Sequence, residues 1–123
     1  MQSASTLKTI KDRKDFLAAA HGCKWVAGTL ILQMHSRAAG HPAGTAPRIG
    51  YTVTRKIGGA VVRNRAKRRL REAVRMIAAT HIREHTDYVV IARKGAATCE
   101  FSVLVRDMEF AFSRIHANKK PSS

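Results

Sequence analysis

The segment that follows Gly58-Gly59 constrains the fold most. Val62, Ala66, Leu70, Ala73 and Ile77 recur at spacings of four, four, three and four, the period of one apolar face on an α-helix. This spacing predicts a helix from about Ala60 to Ala79. The positions between are basic, with seven Arg or Lys from Arg63 to Arg75 against the single acid Glu72. Helical geometry sets Asn64, Arg68, Arg71 and Arg75 opposite the apolar stripe, Arg65 and Arg69 toward one flank, and Arg63 and Lys67 toward the other. Such a helix must lay one face on a core and hold the rest in solvent. Like charges at i,i+4, as in Lys67 with Arg71 and Arg71 with Arg75, destabilise a helix in isolation, so an anionic partner is expected to compensate. Six of the seven cations are arginine, whose planar fork engages phosphate bidentately and stacks on bases. Nucleic-acid phosphates suit that composition.

The rest of the chain supplies the core on which this helix rests. A length of 123 residues, 45% of them hydrophobic, fits a single domain spanning 1–123. Asp12 and Gly22 bracket a first helix of about Arg13 to His21, with an N-cap and a left-handed exit. From Val26, Leu30, Leu32 and Met34 alternate with Thr29, Ile31, Gln33 and His35, the period of a strand. The stretch Arg37 to Pro47, with two glycines and two prolines, reads as a loop between hairpin strands. A second strand of about Arg48 to Arg55 places Ile49, Tyr51 and Val53 on one face. Asp87 to Ala92 is a continuous apolar run rich in β-branched residues, as in a strand covered on both faces. Leu104, Val105, Met108, Ala111, Phe112 and Ile115 line one side of a last helix, and the polar tail 118–123 is expected to fray. The order helix, strands, helix, strand, helix is packed most simply as an α+β fold, a two-layer α/β sandwich.

The net charge is +15, beyond what solubility asks of a small domain, and it is concentrated: Arg48 to Arg75 holds ten basic residues and one acid. A polyanionic partner follows from that field. Cys23 and Cys99, the only cysteines, have no paired spacing, which argues against a disulfide framework or structural zinc and for a reducing, cytoplasmic setting. No apolar run reaches membrane-spanning length, and the first ten residues lack the pattern of a secretory signal. His81-Ile82-Arg83-Glu84-His85 formally fits an inverted zinc-protease motif. That motif, however, falls where the basic helix should end, and only Glu100 and Glu109 follow as glutamates to complete a metal site. Ser, Thr and Cys fall in no nucleophile motif, and Gly58-Gly59 lacks the spacing of a phosphate-binding loop. Catalysis by protein groups is not expected.

The run Lys56-Ile57-Gly58-Gly59-Ala60-Val61-Val62-Arg63-Asn64-Arg65-Ala66-Lys67-Arg68-Arg69-Leu70-Arg71 resembles the signature of the protein subunit of bacterial ribonuclease P, including its Arg-Asn-Arg motif. The likeness extends to the basic start around Leu7, to Phe16 and Gly22 around the first helix, to Ile49-Gly50, and to Asp87-Tyr88 with Ala92-Arg93. The loop Arg37 to Pro47 and the tail have no counterpart in it.

The resemblance implies a protein cofactor for a catalytic RNA, the complex removing the 5′ leader of precursor tRNA with Mg2+ held by the RNA subunit and substrate. It implies a left-handed crossover around the motif helix, an exception to the usual right-handed rule. It also implies that Arg63, Asn64, Arg65, Lys67, Arg68 and Arg71 meet the catalytic RNA, with Arg55 and Lys56 extending the basic surface. A cleft between the first helix and the sheet would hold the precursor tRNA 5′ leader, with Phe16 and Lys14 at its edge. Phe16 reads equally as a core residue beneath that helix. This chain departs from the family where a second cleft aromatic is common, having Ala18-Ala19-Ala20, and Ile31-Leu32-Gln33 likewise offers no aromatic. A general RNA-binding structural protein, such as a ribosomal component or RNA chaperone, would explain the charge without explaining the ordered motif.

Overall fold

The computed structural model describes residues 7–117; the tail 118–123 lies outside the described residues. In chain order the elements are β1 (Lys8–Thr9), α1 (Arg13–Ala20), β2 (Cys23–Val26), β3 (Leu30–Ser36), β4 (Arg48–Thr52), α2 (Ala60–His81), β5 (Thr86–Ala92) and α3 (Phe101–Ala117), with 3-10 turns at Arg55–Ile57 and Lys94–Ala97. Five strands form one sheet in the order β1-β4-β5-β3-β2. β5 runs parallel to β4, with Gly50 opposite Val89, and antiparallel to β3, with Gln33 opposite Val89.

The α+β sandwich is as expected, and the helices divide between the two faces of the sheet. Leu32, Tyr88, Val90 and Ile49 face α2 and α3, which contribute Ala66, Leu70, Val74, Met108 and Phe112 to the main core. Val89 faces the other way, onto Ile10 and Ala19, with Phe16 and Ile91 packed beside them. The short α1 therefore adds a layer on the second face. This arrangement accounts for the unbroken apolar run of β5, since a strand covered on both faces has no water-facing positions. The apolar stripe of α2 is buried from Ala66 to Ile77, while Val62 at its start remains exposed.

Three local expectations need correction. The loop Arg37 to Pro47 does not close a hairpin, because β5 lies between β3 and β4. It spans two inter-strand spacings, about 10 Å, and the true hairpin is β2–β3, closed where the Ala27 N–H donates to the Leu30 carbonyl at 2.8 Å. Asp12 sits at the α1 N-cap with extended backbone but makes no side-chain cap bond. Gly22 is not left-handed; instead, a Cβ there would overlap the Met34 carbonyl oxygen. Glycine is required by close approach rather than by torsion.

Charge also enters the interior. Arg48 donates from Nε and Nη2 to the two Asp87 carboxylate oxygens at 2.9 and 2.7 Å. Arg37 donates to Asp87 at 2.6 Å and to the carbonyls of Gly44 and Ala46. Arg48 reaches on to Asp15 of α1 at 3.4 Å. Burial pushes the Asp87 carboxyl up, but the hydrogen bonds from Arg48 and Arg37 outweigh it and hold it below the usual carboxylate range. One network thus fastens the 37–47 loop and α1 to the two central parallel strands.

Candidate nucleic-acid interface

The approach to α2 is set by glycine. β4 ends at Thr52, the Arg55–Ile57 turn follows, and Gly58 takes φ +150°, a conformation that side chains resist. A Cβ there would also meet Val62 at 3.0 Å. The helix then begins at Ala60 after Gly59, with no side-chain cap and no acid in its first turn, so nothing local offsets the positive end of its dipole.

The seven cations of α2 do not share one fate. Arg69 turns inward: its Nη2 donates to the Cys99 carbonyl oxygen and its guanidinium lies 5.9 Å from the Phe101 ring centroid. Arg75 pairs with Glu72 at 3.0 Å on the exposed surface, a contact worth about 0 to 1 kcal/mol. Arg63, Arg65, Lys67, Arg68 and Arg71 form no ion pair among the described residues. Asn64, Arg65, Arg68 and Arg71 are exposed, and Arg63 and Lys67 are half-buried. Arg71 stands 5.9 Å over the Tyr51 ring, and with Arg75, Tyr51 and Thr9 it lines a hollow of about 200 Å³. Burial pushes the Tyr51 hydroxyl up to about 12 despite the nearby Arg71 and Arg75, so it stays protonated at neutral pH. Arg55 and Lys56, exposed in the 3-10 turn, lead directly into this face.

Lys14 and Phe16 belong to a second surface, across the sheet. Phe16 is half-buried, and its ring lies so close over β4 that a Cβ on Gly50 would be 2.6 Å from it. Lys14 is exposed. Register places Val26, Ile31, Ile91 and Thr52 in one row across four strands on this α1 side. None of the four is fully buried, and Ile91 packs in the same cluster as Phe16. The result is a partly exposed, largely aliphatic strip of sheet with one aromatic ring on the same face. The ring is neither sealed in the core nor free, which accommodates both readings of Phe16.

Sequence reasoning missed Arg37, Asp15 and Tyr51 as supports of these surfaces. The available signal was Asp87: a carboxylate at the head of a wholly apolar strand must find cations inside the fold. The His81 to His85 motif is dispersed by the backbone. His81 ends α2, whereas His85 lies beyond it with φ +62°, so the two histidines share no helix face. Cys23 and Cys99 form no disulfide among the described residues.

A sheet protein with a concentrated cationic helix on one face and a partly exposed apolar strip on the other is the class that fold and site define. The family profile for ribonuclease P matches residues 5–116. The ribonuclease P protein component of Caulobacter vibrioides is 43% identical over 119 residues, covering 95% of this chain and 78% of that relative. That of Ruegeria pomeroyi is 40% identical over 118 residues, covering 95% and 93%. Among solved structures, the Staphylococcus aureus RNase P protein aligns with TM-score 0.71 at 25% identity, over 86% of this chain and 93% of that one. The Thermotoga maritima RNase P protein gives 0.68 at 25% identity, over 84% and 92%.

The chain belongs to the ribonuclease P protein family, the protein subunits of an endoribonuclease of tRNA processing whose partner is the ribonuclease P RNA.

Proposed function

We propose that this chain binds the ribonuclease P RNA through α2 and the 5′ leader of precursor tRNA through the α1 side of the sheet, promoting endonucleolytic removal of the leader. The observation that carries this reading is the set of α2 cations, Arg63, Arg65, Lys67, Arg68 and Arg71, without ion-pair partners among the described residues. An arginine-rich face without internal counter-charge matches a phosphate backbone, and Arg55 and Lys56 extend the match toward the sheet. Asn64 adds a neutral donor and acceptor amid the charges.

The apolar strip on the α1 side supports the second half of the reading. An unpaired leader offers bases to an aromatic edge at Phe16 and an aliphatic floor at Ile31 and Ile91, with Lys14 beside them for phosphate. The catalytic centre is assigned to the RNA. Mg2+ wants several oxygen ligands, and the only carboxylate on the basic face, Glu72, is taken by Arg75. Among the described residues no group of three His, Cys, Asp or Glu side chains could hold a metal ion, and the ion belongs in this reading with the RNA and substrate. No helix among the described residues is long and apolar enough to cross a membrane. A cytoplasmic setting is a separate part of the proposal.

Reconstitution tests it. Purified chain is added to ribonuclease P RNA at low Mg2+, and 5′ processing of precursor tRNA is followed. Stimulation is expected, with no cleavage by the protein alone. Absence of stimulation with both components folded would favour a general RNA-binding protein.

A further inference from the structure

The outer side of α3 carries aromatic and cationic groups that neither surface above uses. β2 is an edge strand, paired only with β3 among the described residues. Its Trp25 stands on the α3 side, against the main core, and meets Phe110 with ring centroids 5.9 Å apart at 71°. Phe110 remains 48% exposed, and the Arg114 guanidinium lies 4.7 Å from its ring centroid. Arg106, Phe110 and Arg114 succeed one another at i,i+4 and form one stripe. The acids of the same stretch are engaged elsewhere. Asp107 accepts from the Thr29 N–H and hydroxyl at 3.1 and 2.8 Å, and Glu109 lies 3.7 Å from His81. Arg106 and Arg114 form no ion pair among the described residues. α3 covers β3 and β2 while α2 covers β5 and β4, so the stripe lies toward the sheet edge away from α2's strands.

We propose that Trp25, Arg106, Phe110 and Arg114 form a second RNA-contact surface, which takes an unpaired single-stranded segment. A base stacks on the open face of Phe110, and Arg106 and Arg114 hold the flanking phosphates. Exposed aromatic area beside guanidinium groups is the composition of a sequence-tolerant stacking platform. A second copy of the chain is the poorer occupant: a two-fold contact presents the same patch from both sides, setting this arginine stripe against itself on a chain of net charge +15. A polyanion complements that charge.

Trp25 is the only tryptophan, so its fluorescence reports on this surface. The full chain is titrated with a short single-stranded oligoadenylate at low salt. Saturable quenching is expected, weakened at least about fivefold in Phe110→Ala/Arg114→Gln. A second variant, Arg106→Gln/Arg114→Gln, keeps the ring and should weaken binding while leaving the thermal midpoint unchanged. Arg65→Gln/Arg68→Gln should retain the quench. Absence of quenching, binding by both stripe variants as tight as by the native protein, or loss of the quench in the α2 variant would overturn the proposal. So would a concentration-dependent Trp25 signal without RNA together with a dimer in sedimentation. Failure to stimulate the ribonuclease P RNA would bear on the proposed function alone, because this titration contains no ribonuclease P RNA.

Discussion

Asp87 and Arg37 are both withdrawn from water, with side chains 1% and 0% exposed, so removing Asp87 leaves the Arg37 guanidinium in the interior without a counter-charge. Asp87→Asn is expected to destabilise the protein by about 3 to 5 kcal/mol at neutral pH, measured by urea unfolding. The pH dependence has a definite sign. Asp87 is held below its unfolded pKa, so its stabilisation is complete above the ordinary carboxylate range and is lost as pH falls through the depressed folded value. The gap between native protein and Asp87→Asn should therefore narrow below about pH 4; a gap that persisted into stronger acid would show that charge is not its source. Glycines give a second residue-level contrast. Gly22→Ala drives a Cβ into the backbone of Met34, an overlap that a side-chain rotation cannot relieve, and should lower stability by about 1 to 3 kcal/mol. At Gly28 the same Cβ meets only Asp107 Oδ2 at an ordinary 3.5 Å. Gly28→Ala should be nearly neutral, and equal thermal midpoints for the two variants would contradict this account.

The two RNA-directed elements make separable predictions. On α2, Arg65→Gln and Arg68→Gln should each weaken binding to ribonuclease P RNA and flatten its dependence on log salt by about one unit of slope per lost contact. Neutralising Lys119 and Lys120 should matter less, and equal effects would show that net charge alone governs binding. On α1, Phe16→Leu keeps apolar volume but removes the ring. It should preserve the fold while reducing the holoenzyme's preference for a long-leader precursor over a one-nucleotide leader. Earlier melting with full preference retained would place Phe16 in the core. These elements differ in how legible they were. The 3.6-residue period exposed α2 and α3, and the apolar run exposed β5, because each records its burial in its own residues. The two-residue β1 and the brief β2 are too short to carry a period. The place of β5 between β3 and β4 is a long-range fact with no local trace, which is why the 37–47 segment looked like a hairpin loop. The basic face was legible as composition; that Arg69 would turn toward Cys99 and Arg75 toward Glu72 depended on neighbours that only folding supplies.

At the scale of the whole molecule, every layer meets at β5. It pairs with strands on both sides and carries α1 on one face and α2 and α3 on the other. Its antiparallel partner β3 and its parallel partner β4 both come from earlier in the chain, and without β5 the pairs β1-β4 and β2-β3 have no strand between them. Thr86 to Ala92 is also seven residues without Pro or Gly and with one charge, the composition that forms cross-β contacts between chains when left uncovered. The residues just outside it are charged: Arg83 and Glu84 before, Arg93 and Lys94 after. Arg83 and Lys94 have exposed side chains, in the position of gatekeepers that keep unfolded copies apart. Arg83→Ser/Lys94→Ser should leave the thermal midpoint of the folded protein nearly unchanged yet raise light scattering during refolding from urea, increasingly so at higher protein concentration. The strand that holds the native sheet together is thus the segment through which two unfinished molecules would aggregate, and solubility during folding depends on charges that add little to the finished structure.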